Sequence, residues 1–595
     1  MADEKKVTLT IDGQKTAVPE GTTIMQAADS LGIRIPRLCW HPKLSPATAC
    51  RLCIVEVEGA KNFPTACSTQ VREGMVVRTT TPEILRARRD IVELLLDNHP
   101  RDCQICERNN ACDLQELAAT LGVREFLFEG ERKRYPKDAS SPSIVRDPEK
   151  CVLCGRCNRV CTEIQGVNAL SFCHRGFKTI VAPAFNRAMA ESVCVACGQC
   201  TLFCPTAALT EKDETAEVWK ALSDPEKVVV VQIAPAVRVA IGEAFGMEPG
   251  ADMTGQTVTA LRMLGCDVVF DTQFSADLTI VEEASELVHR LKTGGTLPMF
   301  TSCCPGWIKF CEQFHPEILG NLSTCKSPQQ MMGALIKTYY ARKAGVDPGR
   351  IFSVSIMPCT AKKFEKNRPE MASSGYRDVD AVLTTRELAK MIRQAGIRLA
   401  ALPPGVCDDP LGESTGAAPI FGVTGGVMEA ALRTAYEYLT GSPLGEITFS
   451  AVRGFEGIRE ATVQIAGTEV RVAAAYGLAN AHRLIEEISG GKRSYHFVEI
   501  MACPGGCLGG GGQPYPPAGI DPLDREFYSR RAAGLYRIDE AKARRKSHEN
   551  PQIVRLYEEF LVSPLGEKSH ALLHTHYCPR QPKGIPSRTR ETISI

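Results

Sequence analysis

The sequence has no long apolar run: nothing in its 595 residues approaches the about twenty needed to cross a bilayer. It opens MADEKKVTLT, with neither an apolar signal core nor a twin-arginine pair, so a cytoplasmic location is expected. It lacks an excess of either charge. With 70 basic against 69 acidic side chains the net charge is +1, which removes the electrostatic case for a nucleic-acid or membrane-surface partner. No G-x-G-x-x-G follows a strand, so no nucleotide site is expected on this chain. The remaining composition, 44% hydrophobic and 23% charged, is that of an ordinary globular protein, and the length suits about four domains.

What the chain does have is cysteine, 26 of them, mostly in short-spaced groups. Disulfides belong to oxidising compartments and usually to smaller chains. Runs such as Cys151-x2-Cys154-x2-Cys157 instead place several sulfurs around one point, as a metal cluster requires.

The organisation follows from local patterns. Residues 7–11 and 16–18 alternate about Asp12-Gly13, a hairpin signal, and a helix is expected from about Thr23. Residues 81–97 have helical apolar spacing, with Pro82 suited to the first turn. The polar stretch 128–150, with three prolines, reads as a linker. From about 227, apolar strands alternate with amphipathic helices, which predicts a mostly parallel α/β sheet. Three of those strands run directly into cysteine: LPMFTSCC (297–304), IFSVSIMPC (351–359) and FVEIMAC (497–503). Ligands of α/β folds gather beyond the carboxyl ends of strands, so three such ends predict one shared site. From about 523 the chain reads as a helical wrap.

Four cysteine groups precede that site. Cys39, Cys50, Cys53 and Cys67 suit a [2Fe–2S] cluster on loops beside a small sheet, with zinc as the alternative for four cysteines. Their spacing departs from the plant ferredoxin pattern. It resembles instead the ferredoxin-like domain of the large iron–sulfur subunit of respiratory complex I. His99, Cys103, Cys106 and Cys112 follow. A lone histidine is usually structural, but three cysteines lack a fourth ligand, and the same family places a histidine ligand to a [4Fe–4S] cluster here. Then Cys-x2-Cys-x2-Cys-x3-Cys occurs twice, at 151–161 and 194–204. In two-cluster ferredoxins the fourth cysteine of each run serves the other cluster. This assigns Cys151, Cys154, Cys157 and Cys204 to one [4Fe–4S] cluster, and Cys194, Cys197, Cys200 and Cys161 to its partner. Pro205 follows Cys204 as the bacterial pattern expects, whereas Thr162 stands at the equivalent place in the first run. Four clusters in a row make a wire between a chemical site and an external partner.

Three stretches, TSCCPGW (301–307), MPCTAKKFE (357–365) and MACPGGCLGGGG (501–512), resemble the iron-only ([FeFe]) hydrogenase family, and the resemblance extends to about residue 580. It implies an H-cluster: a [4Fe–4S] cube joined through a cysteine sulfur to a diiron site carrying CO, cyanide and a bridging dithiolate amine. Its implied cube ligands here are Cys304, Cys359, Cys503 and Cys507, with Cys507 as the bridge. Cys303 is then the spare thiol that exchanges protons with the amine, although a buried cysteine is often inert. Lys362 resembles the family's cyanide partner. Met357, Met501, Phe421, Pro235 and Gln329 match pocket-lining positions, where bare apolar residues are more often plain core. Ala236 stands where some relatives have serine. Gly505, Gly506 and Gly509 to Gly512 leave room for backbone to approach a cofactor.

Glu283, Glu286 and Arg290 share one face of a predicted helix over 276–292, which taken alone is a solvated face with an ordinary ion pair. The family places a proton path there, through Cys303, Glu283, Ser323, Glu286 and Arg290. Burial raises carboxyl pKa values in the direction such a relay needs. The resemblance thus implies reversible heterolytic H2 cleavage, with electrons leaving through the ferredoxin-like pair toward the His99 and Cys39 groups.

The expected fold is multidomain, α+β followed by α/β. A [2Fe–2S] β-grasp domain is expected over 1–80, a His/Cys-ligated domain over 81–125, a two-[4Fe–4S] domain over 140–212, an H-cluster domain over 225–522 and a small-subunit-like segment over 523–595. The chain also resembles catalytic subunits of multi-subunit NAD(P)-linked hydrogenases, including electron-bifurcating ones, and the monomeric clostridial type. Flavin-, NAD(P)- and ferredoxin-like partner subunits are expected, with free ferredoxin as the alternative. Rival readings are a complex-I-like electron carrier, a cytosolic iron–sulfur assembly factor and an H2 sensor. Cys578 alone holds no cluster, and Cys173, Cys266, Cys311, Cys325 and Cys407 read as core thiols.

Overall fold

A computed structural model describes residues 5–124, 130–444, 453–465, 467–516 and 520–580. The ends of two expectations, at 125 and 581–595, therefore lie outside the described residues, as do residues 128 and 129 of the expected linker.

The amino-terminal sheet begins with the hairpin of Lys6–Ile11 and Gln14–Pro19. Its two turn residues, Asp12 and Gly13, both take positive φ, which matches the twist of the flanking strands. Met75–Arg78 pairs parallel to the first strand, and Glu56–Val57 completes the sheet. The helix Ile24–Ser30 starts at a capping box between Thr23 and Gln26. It buries Ile24, Ala27 and Ala28 against Leu9, Ile11 and Val77. The helix Pro82–Asp97 follows, capped by Thr81 with proline in its first turn.

The cysteine repeat is also a repeat of backbone shape. Leu153 and Gly155 take φ of 54° and 71°, and Ala196 and Gly198 take 62° and 73°. Each pair precedes a short helix, Arg156–Arg159 or Gln199–Phe203. Part of the expected linker belongs to this unit. Ile144–Arg146 pairs antiparallel with Leu209–Glu211, because Ile144 and Leu209 bury their side chains in the same apolar cluster. Proline and charge content concealed that short strand.

The carboxyl-terminal region holds two four-stranded sheets, mostly parallel as the alternation of strands and helices predicts. In the first, Val268–Asp271, Val228–Ile233, Ile351–Met357 and Ala381–Thr384 lie in that order, all parallel. In the second, Met299–Phe300, Phe497–Met501 and Thr468–Tyr476 are parallel, and Ile458–Ile465 joins antiparallel. The near-continuous apolar strands (VVVVQI at 228–233) are those of sheets covered on both faces. The helix Thr272–Thr293, buried over most of its length, packs against Gly426–Thr440. The terminal segment is a wrap, with helices Arg525–Ala541, Pro551–Leu556 and Glu567–Leu573. Buried ion pairs fasten it: Arg531 to Glu243 at 2.6 Å and Asp539 to Arg433 at 2.8 Å. Among the described residues no helix is long and apolar enough to cross a membrane.

Candidate functional site

The three cysteine-bearing strand ends come from both sheets. Ile351–Met357 of the first sheet leads through Pro358 into Cys359. Met299–Phe300 and Phe497–Met501, neighbours in the second, lead into Cys303–Cys304 and Cys503. Cys507 sits in the short 3-10 turn Gly506–Gly509. Ala502 N, next to Cys503, donates to Cys304 Sγ at 3.4 Å, and Gly510, three residues past Cys507, presses on the carbonyl of Pro358, next to Cys359, so the four cysteines are brought together. Cys359 and Cys503 are buried, and Cys304 and Cys507 half-buried.

These residues fit a cationic cluster. Burial pushes the Cys359 thiol up to about 12 and raises the other three, so none ionises unaided; bound iron would supply the charge that stabilises thiolates. Backbone amides already donate to sulfur: Ala502 N to Cys304 at 3.4 Å, Ala169 N to Cys161 at 3.3 Å and Ala196 N to Cys194 at 3.4 Å.

Two cavities lie in the repeat unit. One is lined by Cys151, Cys154, Cys157 and Cys204, the other by Cys161, Cys194, Cys197 and Cys200. This is the crossed grouping, not the grouping by run. Cys197 borders the strand-end site, for the charge of Cys359 raises it and Thr360 Oγ1 donates to Ala196 O at 2.7 Å.

Family comparison agrees along the whole chain. The model for "Iron only hydrogenase large subunit, C-terminal domain" matches residues 227–511. A "2Fe-2S iron-sulfur cluster binding domain" matches 4–82, an "NADH-ubiquinone oxidoreductase-G iron-sulfur binding region" matches 88–126, and "Iron hydrogenase small subunit" matches 525–580. The chain is 51% identical over 587 residues to the NADP-reducing hydrogenase subunit HndD of Solidesulfovibrio fructosivorans, covering 97% of this chain and 99% of that one. It is 42% identical over 575 residues to iron hydrogenase 1 of Clostridium pasteurianum, covering 96% and 99%. The chain belongs to the iron-only hydrogenase family.

A solved [FeFe]-hydrogenase HydA1 from Chlamydomonas reinhardtii matches with TM-score 0.56 and 44% identity, over 62% of this chain and 100% of that one. The cytosolic iron-sulfur assembly component 3 of Bos taurus is 33% identical over 64% of this chain and 82% of its own. The chain is thus a hydrogenase catalytic subunit with iron–sulfur-binding domains ahead of its H-cluster domain.

In this hydrogenase the amino-terminal cysteines form two buried pairs. A hydrogen bond from Cys50 lowers Cys39, and one from Cys53 lowers Cys67. His99 is half-buried, with its Nδ1 shielded and lacking a partner, and desolvation draws its pKa down to about 4, which keeps the imidazole neutral as a ligand requires. Lys150 borders His99 and donates to Cys106 at 3.3 Å; Cys112 caps the helix Asp113–Thr120, while Cys103 is exposed. Cys154 shares one apolar cluster with Cys39 and Cys50, with Cys112 at its margin. Arg159 ties Cys39 to Cys154, donating from Nη2 to the carbonyl of each.

The helix face carrying Glu283, Glu286 and Arg290 is buried, not solvated. Both Glu283 oxygens lack a hydrogen-bond partner, and burial, helped by the charge of Glu286, pushes its pKa up to about 8. Its charge in turn raises the buried Cys303. Ser323 Oγ lies beside Glu283 but donates to Glu286 Oε2 at 3.0 Å, and Arg290 Nη2 donates to Glu286 Oε1 at 2.6 Å.

Lys362 donates to Cys303 O at 3.1 Å and to Glu365 Oε2 at 2.9 Å. Glu365 Oε2 also accepts from Ser327 Oγ at 2.9 Å and Gln329 Nε2 at 3.0 Å. Glu365 thus orients two of the pocket candidates. Sequence reading passed over it, although it stands three residues after Lys362 within the quoted motif. Phe421 and Met501 pack in one apolar cluster with Cys303, whereas Met357 belongs to the core around the first sheet. Pro235 opens the turn Pro235–Arg238, and Ala236 is fully buried against Gly422.

The glycine run meets protein backbone. A Cβ on Gly510 would stand 2.2 Å from Pro358 O, and one on Gly511 2.5 Å from Cys197 O. These glycines press the Cys503–Cys507 turn against the other strand end and the ferredoxin-like unit.

Proposed function

We propose that this subunit carries out reversible heterolytic H2 oxidation on an H-cluster held by Cys304, Cys359, Cys503 and Cys507, with Cys507 as the bridging ligand. When bound, that cluster supplies the Lewis-acidic iron and the redox capacity for splitting H2. The protein's part is position, insulation and conduits. Cys303 is the first protein group to hold the proton. Glu283, protonated near neutral pH by its burial, passes it beside Ser323 to Glu286, which Arg290 holds in place as an ion pair. Lys362, fixed by Glu365, would offer its ammonium to an anionic cyanide ligand, and Met357, Met501, Phe421, Pro235 and Gln329 would line the space around the bound cluster.

Electrons leave through Cys161, Cys194, Cys197 and Cys200, then Cys151, Cys154, Cys157 and Cys204. From Cys154, which packs with Cys39, Cys50 and Cys112, the route continues to His99, Cys103, Cys106 and Cys112, and to Cys39, Cys50, Cys53 and Cys67. These sets correspond to three accessory [4Fe–4S] clusters and one [2Fe–2S] cluster, in units over 1–80, 81–125, 140–212, 225–522 and 523–595. The printed name of the 51% identical relative supports an NADP-linked partner chain, hence a cytoplasmic, multi-subunit enzyme.

The observation that carries this reading is the convergence of Cys304, Cys359, Cys503 and Cys507 from two sheets, with Cys303 spare beside Glu283. Anaerobic maturation followed by infrared spectroscopy tests it. Bands of iron-bound CO and cyanide are expected, and cluster-loaded protein without them refutes the assignment. Incubation of the chain alone with H2 and NADP+ is expected to reduce none, and brisk reduction refutes the partner reading.

A further inference from the structure

Glu286 sits at the outer end of the proton path proposed above, yet its ion-pair partner cannot take the proton further. A guanidinium is not deprotonated in proteins. Arg290 is moreover spent on the carbonyls of Leu322, Asn321 and Thr296 as well as on Glu286. Ser323 leads back toward Glu283. Two hydrogen-bonded neighbours remain: the Cys325 thiol, 3.9 Å from Oε2 and raised by burial, and Thr324, whose N–H donates to Glu286 Oε2 at 3.0 Å and whose Oγ1 lies 3.2 Å from the same oxygen. Thr324 Oγ1 also lies 2.8 Å from His574 Nδ1.

We infer that Glu286 discharges its proton through Thr324 to His574, an imidazole contributed by the carboxyl-terminal segment. The hydroxyl has one hydrogen between two acceptors, and that hydrogen makes it a relay. With Glu286 protonated, the carboxyl donates to Oγ1, Oγ1 donates to Nδ1, and His574 is neutral with its hydrogen on Nε2. As the proton moves, Oγ1 takes the carboxyl hydrogen while its own passes to Nδ1. Glu286 becomes a carboxylate facing Arg290, and His574 becomes an imidazolium. The count of hydrogens is unchanged, and no oxidant or reductant is involved.

The surroundings suit an imidazolium. Nε2 faces Glu282 Oε2 at 3.2 Å, and Glu282 Oε1 is held by the Tyr557 hydroxyl at 2.5 Å. The exposed ring of His570 lies tilted beside His574 with centroids 4.3 Å apart. His574 itself keeps 7% of its surface exposed. Imidazole is the side chain that ordinarily changes charge near neutral pH, which neither neighbour of Glu286 on the first path does. Tertiary structure alone makes this link: 250 residues separate Thr324 from His574, joined in the fold by the bridge of Cys325 with His574.

The inference rests on the proton path, so the test separates the two. Matured holoenzyme is assayed for H2 oxidation with methyl viologen, and each variant is checked for unchanged iron content and CO bands. Glu286→Gln is expected to lose at least about 100-fold in turnover. Thr324→Val and His574→Gln are each expected to lose about tenfold and to raise the solvent deuterium isotope effect, since proton exit becomes limiting. If Glu286→Gln turns over normally, the path itself is wrong. If Glu286→Gln collapses while Thr324→Val and His574→Gln keep full turnover, the path stands and this outlet is refuted. A loss in His574→Gln without one in Thr324→Val, or with an unchanged isotope effect, marks a structural role and also refutes it.

Discussion

The ammonium of Lys362 donates to the carbonyl of Cys303 at 3.1 Å, which ties the helix after one cysteine-bearing strand to the turn after another. The same ammonium pairs with the buried carboxylate of Glu365, so one cation holds together the two sheets' contributions to the site. Lys362→Met removes that cation and leaves Glu365 with only Ser327 and Gln329 as partners. Breaking a buried pair this way costs about 3–5 kcal/mol. Denaturant titration should show a loss of that size, with Glu365→Gln milder because the amide still accepts one hydrogen bond.

Cys303 is buried, spare among the strand-end sulfurs, and beside a carboxyl without hydrogen-bond partners. Cys303→Ala should keep the iron content and CO bands while turnover falls by about 10²–10⁴. Full turnover in that variant refutes its role as first proton carrier.

Glu283 makes stability depend on pH. Its folded pKa, about 8, lies above the ordinary carboxylate value because burial disfavours the charge. Below the ordinary value both states are protonated and the contribution is whole. Between the two values only the unfolded chain ionises, so stability falls as pH rises toward 8, by at most about 1.4 kcal/mol per pH unit. The thermal midpoint of the holoenzyme should drop between pH 6 and pH 8, and the Glu283→Gln variant should show a smaller drop. Equal drops would place the charge elsewhere.

His99 places a neutral ring where the other proposed ligands of its group are sulfur. His99→Cys exchanges it for a thiolate, adds a negative charge and should lower the reduction potential of that cluster. Potentiometric EPR titration reads the shift, and an unchanged signal shows that the residue is not a ligand.

Gly511 lies against Cys197, between the strand-end site and the ferredoxin-like unit. Gly511→Ala forces backbone apart there and should slow electron transfer to external dyes more than hydrogen–deuterium exchange, which needs no electron exit. Equal loss of both activities would point to damage at the strand-end site itself.

The hairpin about Asp12-Gly13, the capped helices at Thr23 and Thr81 and the doubled cysteine run were legible because each is set by residues a few positions apart. The strand Ile144–Arg146 was not, since its partner lies 65 positions on and its own residues are too few for a period to show. The packing of Cys154 against Cys39 and Cys50 was also hidden, because it joins residues more than a hundred positions apart.

The sequence by itself determined the chemistry: which sulfurs stand ready for iron, and a family resemblance that comparison along 97% of the chain bears out. Ligand spacing is a local property, written in adjacent residues. Tertiary structure alone decided that those strand ends belong to two sheets, that Glu365 orients Lys362 and Gln329, and that His574 packs against Thr324 and Glu282. Those relationships join residues tens to hundreds of positions apart, and only packing of two sheets and a terminal wrap around buried charges brings them within hydrogen-bond range.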